Sequence, residues 1–265
     1  MINMKFYFRR LANRISCGKW VALRSIIKNK VKDEINNQRI EYSLQGDIGR
    51  KLYLYGEFER NELEICRRYI KSTSNIVDIG ANVGLHTIFF SKLATEGLIV
   101  SFEPQRSTFS ILVENVRGLA NVVPVNLAIS SALGVAEFYV ASDDAYSSLK
   151  DTLRKSIVSK IKVMTLPFDS FFYAFDNLDL VKIDVEGYEH EVLLSMKQTL
   201  EKHKPVLFVE IYAGSNSNLD PDNTVKFLKD LGYFAYFVDQ DGELRKYETH
   251  NDDFYNYFFV HSSRA

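Results

Sequence analysis

The chain has 265 residues, 46% of them apolar and 25% charged, with 33 Lys/Arg against 34 Asp/Glu for a net charge of −1. That length suits one large domain or one domain with a small appendage, and the near-zero charge argues against nucleic acid as a partner on electrostatic grounds. Lys5, Arg9, Arg10 and Arg14 interrupt any secretory h-region, no apolar run is long enough to span a bilayer, and Cys17 and Cys66 have neither metal-ligand nor disulfide spacing, so a cytoplasmic chain with reduced thiols is expected.

The first 32 residues hold nine Lys/Arg and no Asp or Glu, whereas the remainder holds 24 basic against 34 acidic residues. Phe8, Leu11 and Ile15 recur at helical spacing, as do Trp20, Leu23, Ile27 and Val31. Two readings are open for this arm: a helix packed on the domain or in a dimer, or a basic amphipathic segment in peripheral contact with a membrane or an acidic partner. From Gln38 to Tyr55, weak alternation with Gly46 and Gly49 suggests a short strand pair. Residues 1–50 are therefore read as arm plus strand pair, and 51–265 as the main domain. Glu57 and Glu59 precede a helix through Leu63, Ile65, Cys66, Tyr69 and Ile70, and are weak site candidates because acids in a first turn ordinarily complement the helix dipole.

Asn75 to Thr87 carries the strongest signal. Ile76, Val77 and Ile79 make a buried parallel strand with Asp78 among them; Gly80 and Gly84 follow, then a helical pattern through Ile88, Phe89 and Leu93. A strand turning sharply into a helix leaves free backbone N–H groups for an anion, and glycine lets a ligand approach the backbone. The dinucleotide fingerprint needs a middle glycine where this chain has Asn82. Asp78 would repel a pyrophosphate but welcome an ammonium group, so a zwitterionic amino-acid tail fits better, as at the methionine end of S-adenosylmethionine. Twenty-five residues later a second strand, Leu98–Phe102, ends in Glu103 and Pro104. A carboxylate there can accept hydrogen bonds from both ribose hydroxyls.

A helix from Ser107 to Val116 leads to a third strand, Asn121–Asn126. Asn126 either reads the adenine amino edge or simply forms the turn through Leu127, Ala128 and Ile129. Val135–Ala141 and Lys160–Leu166 read as an inserted hairpin. In the fourth core strand, Leu178–Asp184, period two puts Lys182, Asp184 and Glu186 on one side; a lysine in a central strand needs a partner, and Asp184 is the obvious one. A helix from Glu189 to Leu200, a fifth strand (Pro205–Tyr212) bearing Glu210, a helix from Pro221, and strands at Tyr233–Val238 and Tyr255–His261 complete an α/β pattern with a mostly parallel sheet. His86 and Thr87 in the loop–helix, Pro104, Asn126 and Ala128 join Asp78, Gly80, Asn82, Gly84 and Glu103 as candidate cofactor-binding residues. Asp184, Glu210, Glu186 and Lys182 are the candidate catalytic set. Asp184 or Glu210 can serve as base for an acceptor hydroxyl; a divalent cation held by both is an alternative, and no metal ligand is assigned.

Val77–Gly84, Phe102-Glu103-Pro104, Val181–Glu189 and Val209-Glu210-Ile211 together resemble the FkbM-type methyltransferases, over roughly Gly56 to Val260. The resemblance implies a class I, Rossmann-like three-layer sandwich with a seven-stranded, mostly parallel sheet containing one antiparallel strand. It also implies S-adenosylmethionine-dependent O-methylation, often of sugar hydroxyls in glycans or glycosylated metabolites. Asp78, Gly80, Asn82, Gly84 and Glu103 match the family's cofactor motif, while Asp184, Glu186 and Glu210 match its acceptor side. The chain departs from the family at Thr165-Leu166-Pro167-Phe168-Asp169, where members often have Thr-Leu-Asp. A nicotinamide-linked oxidoreductase and a non-catalytic cofactor-binding scaffold are the competing functions. No Asp/Asn-Pro-Pro-aromatic tetrad is present to grip an exocyclic amine of a nucleic acid.

Overall fold

The computed structural model describes residues 4–15, 21, 30–35, 38–44, 46–212, 221–239, 241–248 and 254–264. The basic arm begins as helix α1 (Met4–Ile15), and strands β1 (Lys30–Ile35) and β2 (Gln38–Ser43) pair antiparallel after it. Val31, expected in a helix, stands in β1; Trp20, Leu23 and Ile27 lie outside the described residues. The strand pair expected over 38–55 is corrected as well, because Asp47–Tyr55 is a helix, α2. Gly49 is not a turn residue there. A Cβ on it would lie 1.7 Å from the Ser43 carbonyl oxygen, so the glycine permits close packing of helix on hairpin. The boundary drawn at residue 50 falls inside this helix.

Helix α3 (Arg60–Tyr69) leads into β3 (Ile76–Ile79), α4 (Leu85–Leu93), β4 (Ile99–Phe102), α5 (Arg106–Val116) and β5 (Val122–Val125). Short β6 (Ala128–Ile129), β7 (Gly134–Ala141) and β8 (Ile157–Leu166) form a separate sheet in the order β6-β8-β7, the expected insertion. The chain then returns to the main sheet with β9 (Leu180–Ile183), α6 (Glu189–Ser195), α7 (Lys197–His203), β10 (Val206–Glu210), α8 (Pro221–Asp230), β11 (Tyr233–Val238), β12 (Leu244–Lys246) and β13 (Asn256–His261). Main-sheet order is β12-β11-β13-β10-β9-β3-β4-β5. From β10 to β5 neighbours are parallel, and β13 runs antiparallel between β10 and β11. Seven of these strands make the expected sheet; β12 is a short addition at the edge.

Period-two burial explains the layers. Val77, Ile79, Val181, Ile183, Leu207 and Val209 pack on one face with Val192 and Leu193 of α6 and Val225 and Leu228 of α8. Ile76, Ile99, Leu180, Val206 and Phe208 pack on the other, with Ile65 of α3 and Phe90 of α4. Strands buried on both faces need the continuous β-branched runs seen in the sequence. The single helix expected from Glu189 to Leu200 is two. Asp169 accepts hydrogen bonds from the backbone N–H of Gln198 (2.9 Å) and Thr199 (3.0 Å), so it caps α7 from outside. No helix among the described residues is long and apolar enough to cross a membrane.

The arm packs on the domain through one face. Phe6, Val31, Ile40, Tyr42, Leu52 and Tyr53 share a buried cluster with Ala81, Ile88 and Leu112. Lys5, Arg9 and Tyr42 converge on the buried carboxylate of Asp33.

Candidate active site

The carboxyl ends of β3, β4, β9 and β10 open into one cavity of about 740 Å³, where ligands bind in open α/β sheets and within the usual volume of small-molecule sites. Its lining includes Gly80, Asn82, Glu103, Pro104, Ala128, Asp184, Glu186 and Glu210 from the sequence-derived candidates. The elbow is built as the glycines suggested. Gly80 has φ 80° and Asn82 φ 50°, and a Cβ on Gly80 would lie 1.8 Å from the Asp184 carbonyl oxygen. Only glycine lets β3 turn while touching the loop after β9. Glu103 accepts the Asn82 N–H at 3.0 Å and the Gln105 N–H at 2.9 Å, which fixes its carboxylate beside the elbow.

Six candidates lie elsewhere, each for a physical reason. Asp78 is fully buried beneath the elbow, accepting from Thr87 Oγ1 at 2.6 Å with Lys182 Nζ at 3.5 Å. The ammonium it attracts is the protein's own. Thr87 is spent on that contact. Lys182 donates to the Gly80 carbonyl (2.8 Å) and lies 3.2 Å from Asp184, so it is a strut under the site and not a group facing it. Burial alone would lower its pKa, but Asp184 foremost, then Asp78 and Glu59, hold it above the ordinary lysine value. Gly84 serves packing, since a Cβ there would meet Leu112 at 2.6 Å. His86 Nε2 sits 2.9 Å from Glu59 Oε2, enclosed by the rings of Phe58, Phe90 and Phe208. Asn126 donates its amide to the carbonyls of Glu103 (2.8 Å) and Pro104 (2.9 Å), tying two strand tips together.

In the same cavity, Asp184, Glu186 and Glu210 bring carboxylate oxygens within 4.8 Å of one another. Burial, then Asp184, pushes both Glu186 and Glu210 well above the usual carboxylate range. Glu186 sits at φ 55°, with Gly187 at 98°. Glu189 braces this tight loop by accepting from the N–H of Val185 (3.2 Å) and Gly187 (3.0 Å).

Several lining residues carried little or no signal in the sequence. Arg154, from the loop between β7 and β8, ion-pairs with Glu186 and lies over the rings of Tyr212 (3.9 Å) and Tyr146 (4.6 Å). Ser148 Oγ donates to the Val185 carbonyl at 2.8 Å, holding that insertion to the acid loop. Asp47, Ile48, Lys51 and Tyr55 reach the cavity from α2. Glu59 was legible only as a weak candidate, yet it lines the cavity at φ 47° and accepts from Asn256 Nδ2 at 3.2 Å. Among the lining residues there are nine carboxylates and three cations, Lys51, Arg60 and Arg154.

Comparison with known proteins places the chain in a family. Residues 78–235 match the Methyltransferase FkbM domain. The chain is 27% identical over 217 residues to the hexuronic acid methyltransferase AglP of Haloferax volcanii, covering 80% of this chain and 85% of that one. It is 27% identical over 180 residues to Methyltransferase 1 of Beauveria bassiana, covering 58% and 71%. In fold it is similar to the crystal structure of methyltransferase FkbM from Methylobacillus flagellatus KT, with a TM-score of 0.50 at 16% identity over 79% of this chain. This chain spans 52% of that structure's length. The family match sets aside the nicotinamide reading: the chain belongs to the FkbM methyltransferase family and is an S-adenosylmethionine-dependent methyltransferase.

Proposed function

We propose that the protein methylates a hydroxyl of a saccharide, in a glycan or a glycosylated metabolite. The observation that carries this reading is the group of Asp184, Glu186 and Glu210 in the same cavity as the Gly80 elbow. The hexuronic acid acceptor named for the Haloferax volcanii relative supports a sugar.

The residues fit the donor. Gly80 and Asn82 of the elbow border the cavity where an amino-acid tail would lie, and Glu103 lies at the lining where ribose hydroxyls can donate to it. S-adenosylmethionine supplies an activated methyl group on a sulfonium sulfur. The chain's own contribution is to hold the acceptor hydroxyl in line, where positioning is worth about 7–11 kcal/mol, and to receive its proton. Glu210 suits the second task, because a base raised out of the usual carboxylate range holds a transferred proton better. Glu186 and Asp184 already face Arg154 and Lys182, so two of the three acids have cationic partners without a metal.

Two variants test the division of roles. Glu210→Gln is expected to lower kcat by about 10²–10⁴-fold while calorimetric affinity for S-adenosylmethionine stays unchanged. Asp184→Asn is expected to cut turnover more than donor affinity. Turnover is read as tritiated methyl transfer into glycan extracts, with EDTA leaving it intact, and mass spectrometry locates the added methyl group. Tight donor binding with no transfer into any glycan would favour the scaffold reading.

A further inference from the structure

Helix α1 has two opposed faces. At 100° per residue, Phe6, Arg9 and Asn13 share the inner face. Phe6 packs so closely on Gly56 that a Cβ there would lie 2.4 Å from its ring, and Arg9 pairs with Asp33 while stacking on Tyr53 at 3.9 Å. Met4, Tyr7, Phe8 and Leu11 follow the i, i+3, i+4, i+7 pattern on the outer face, with exposures of 68%, 52%, 58% and 40%. Arg10 and Arg14 flank that stripe; Arg10 lies over the half-exposed ring of Tyr55 at 4.8 Å, which extends the apolar surface onto α2. Lys19, Arg24 and Lys28 follow in the sequence, and no acid occurs before Asp33.

We infer that the outer face of α1 docks on an anionic lipid bilayer, lying in the plane of the interface. An apolar stripe flanked by cations is what an interfacial helix needs, and a stripe this small requires both the apolar and the electrostatic parts. Charge complementarity selects lipid over a second copy of the chain. A two-fold contact through this face would bring two all-basic arms together, whereas an anionic surface neutralises them. The inner face is latched to Asp33 and Gly56, so docking needs no unfolding of the arm. The site is linked to this surface through α2, which carries α1 on one side and sends Asp47, Ile48, Lys51 and Tyr55 to the cavity. A docked protein thus holds its catalytic cavity beside the lipid, where a lipid-linked saccharide would be presented. That acceptor rests on the proposed sugar methylation; the docking does not.

The test is flotation of the full chain with vesicles of phosphatidylcholine alone or with phosphatidylglycerol as the minor lipid. The expected result is co-flotation with the anionic vesicles at low salt, its loss at high salt, and none with neutral vesicles. Phe8→Glu combined with Leu11→Glu should abolish flotation while thermal midpoint and S-adenosylmethionine affinity stay those of the parent chain. Failure to float at low salt, equal flotation with neutral vesicles, or flotation undiminished in the variant each overturns the inference. So does sedimentation equilibrium showing a parent dimer that the variant dissolves, without vesicle binding.

Discussion

Lys182 sits between two carboxylates and a carbonyl, fully enclosed by the sheet it belongs to. Its pairing with Asp184 was legible, because period two placed them on one side of a strand where an unpaired cation is untenable. The second partner was not, since a strand-tip acid looks the same in sequence whether it faces a ligand or the layer beneath. Replacing Lys182 with Met leaves Asp78 buried without its cation, and denaturant unfolding should show a loss of about 3–5 kcal/mol. Glu189 gives a pH test. Burial first raises its pKa to about 7 from the ordinary 4.5. Between those values the native state retains a proton that the unfolded chain has released, so stability falls as pH rises from 4.5 to about 7. Glu186 and Glu210 add to the same sign; Asp33, whose pKa is lowered, acts oppositely and only toward acid, at and below 3.8. Thermal midpoints across this range should decline, and Glu189→Gln should flatten the slope.

At the scale of elements, the elbow was the best-encoded feature, since Gly80 admits no alternative residue. Gly80→Ala places a Cβ on the Asp184 carbonyl oxygen and strains a φ of 80°. Calorimetry should then find S-adenosylmethionine binding lost, while far-ultraviolet circular dichroism stays near that of the parent if the sheet survives the displaced loop. The core strands and the last strand, β13, were equally legible from apolar runs and order of elements, whereas one antiparallel strand in the sheet was implied only by the family resemblance. Misreadings came where a long-range contact overrode a local signal. Gly49 reads as a turn until Ser43 is seen against it, and the break between α6 and α7 depends on Asp169, 28 residues upstream of Lys197. Arg154 had no local signature at all, because its role depends on the β7–β8 insertion folding back over the acid loop.

Across the whole molecule, charge is sorted: the arm is basic, the remainder acidic, and the cavity lining more acidic still. Even with Glu62, Glu186 and Glu210 shifted toward their neutral forms, the remaining acids of the lining outnumber Lys51, Arg60 and Arg154, so the chamber attracts a positive occupant. S-adenosylmethionine affinity should therefore weaken with added salt more steeply than affinity for its demethylated product, as calorimetry over a sodium chloride series would show. Parallel slopes would mean the carboxylates do not sense the sulfur. The consequence bears on exchange of the donor: a lining richer in acids than in cations would hold a sulfonium more firmly than the uncharged thioether left after transfer, and so would favour replacement of spent donor by fresh.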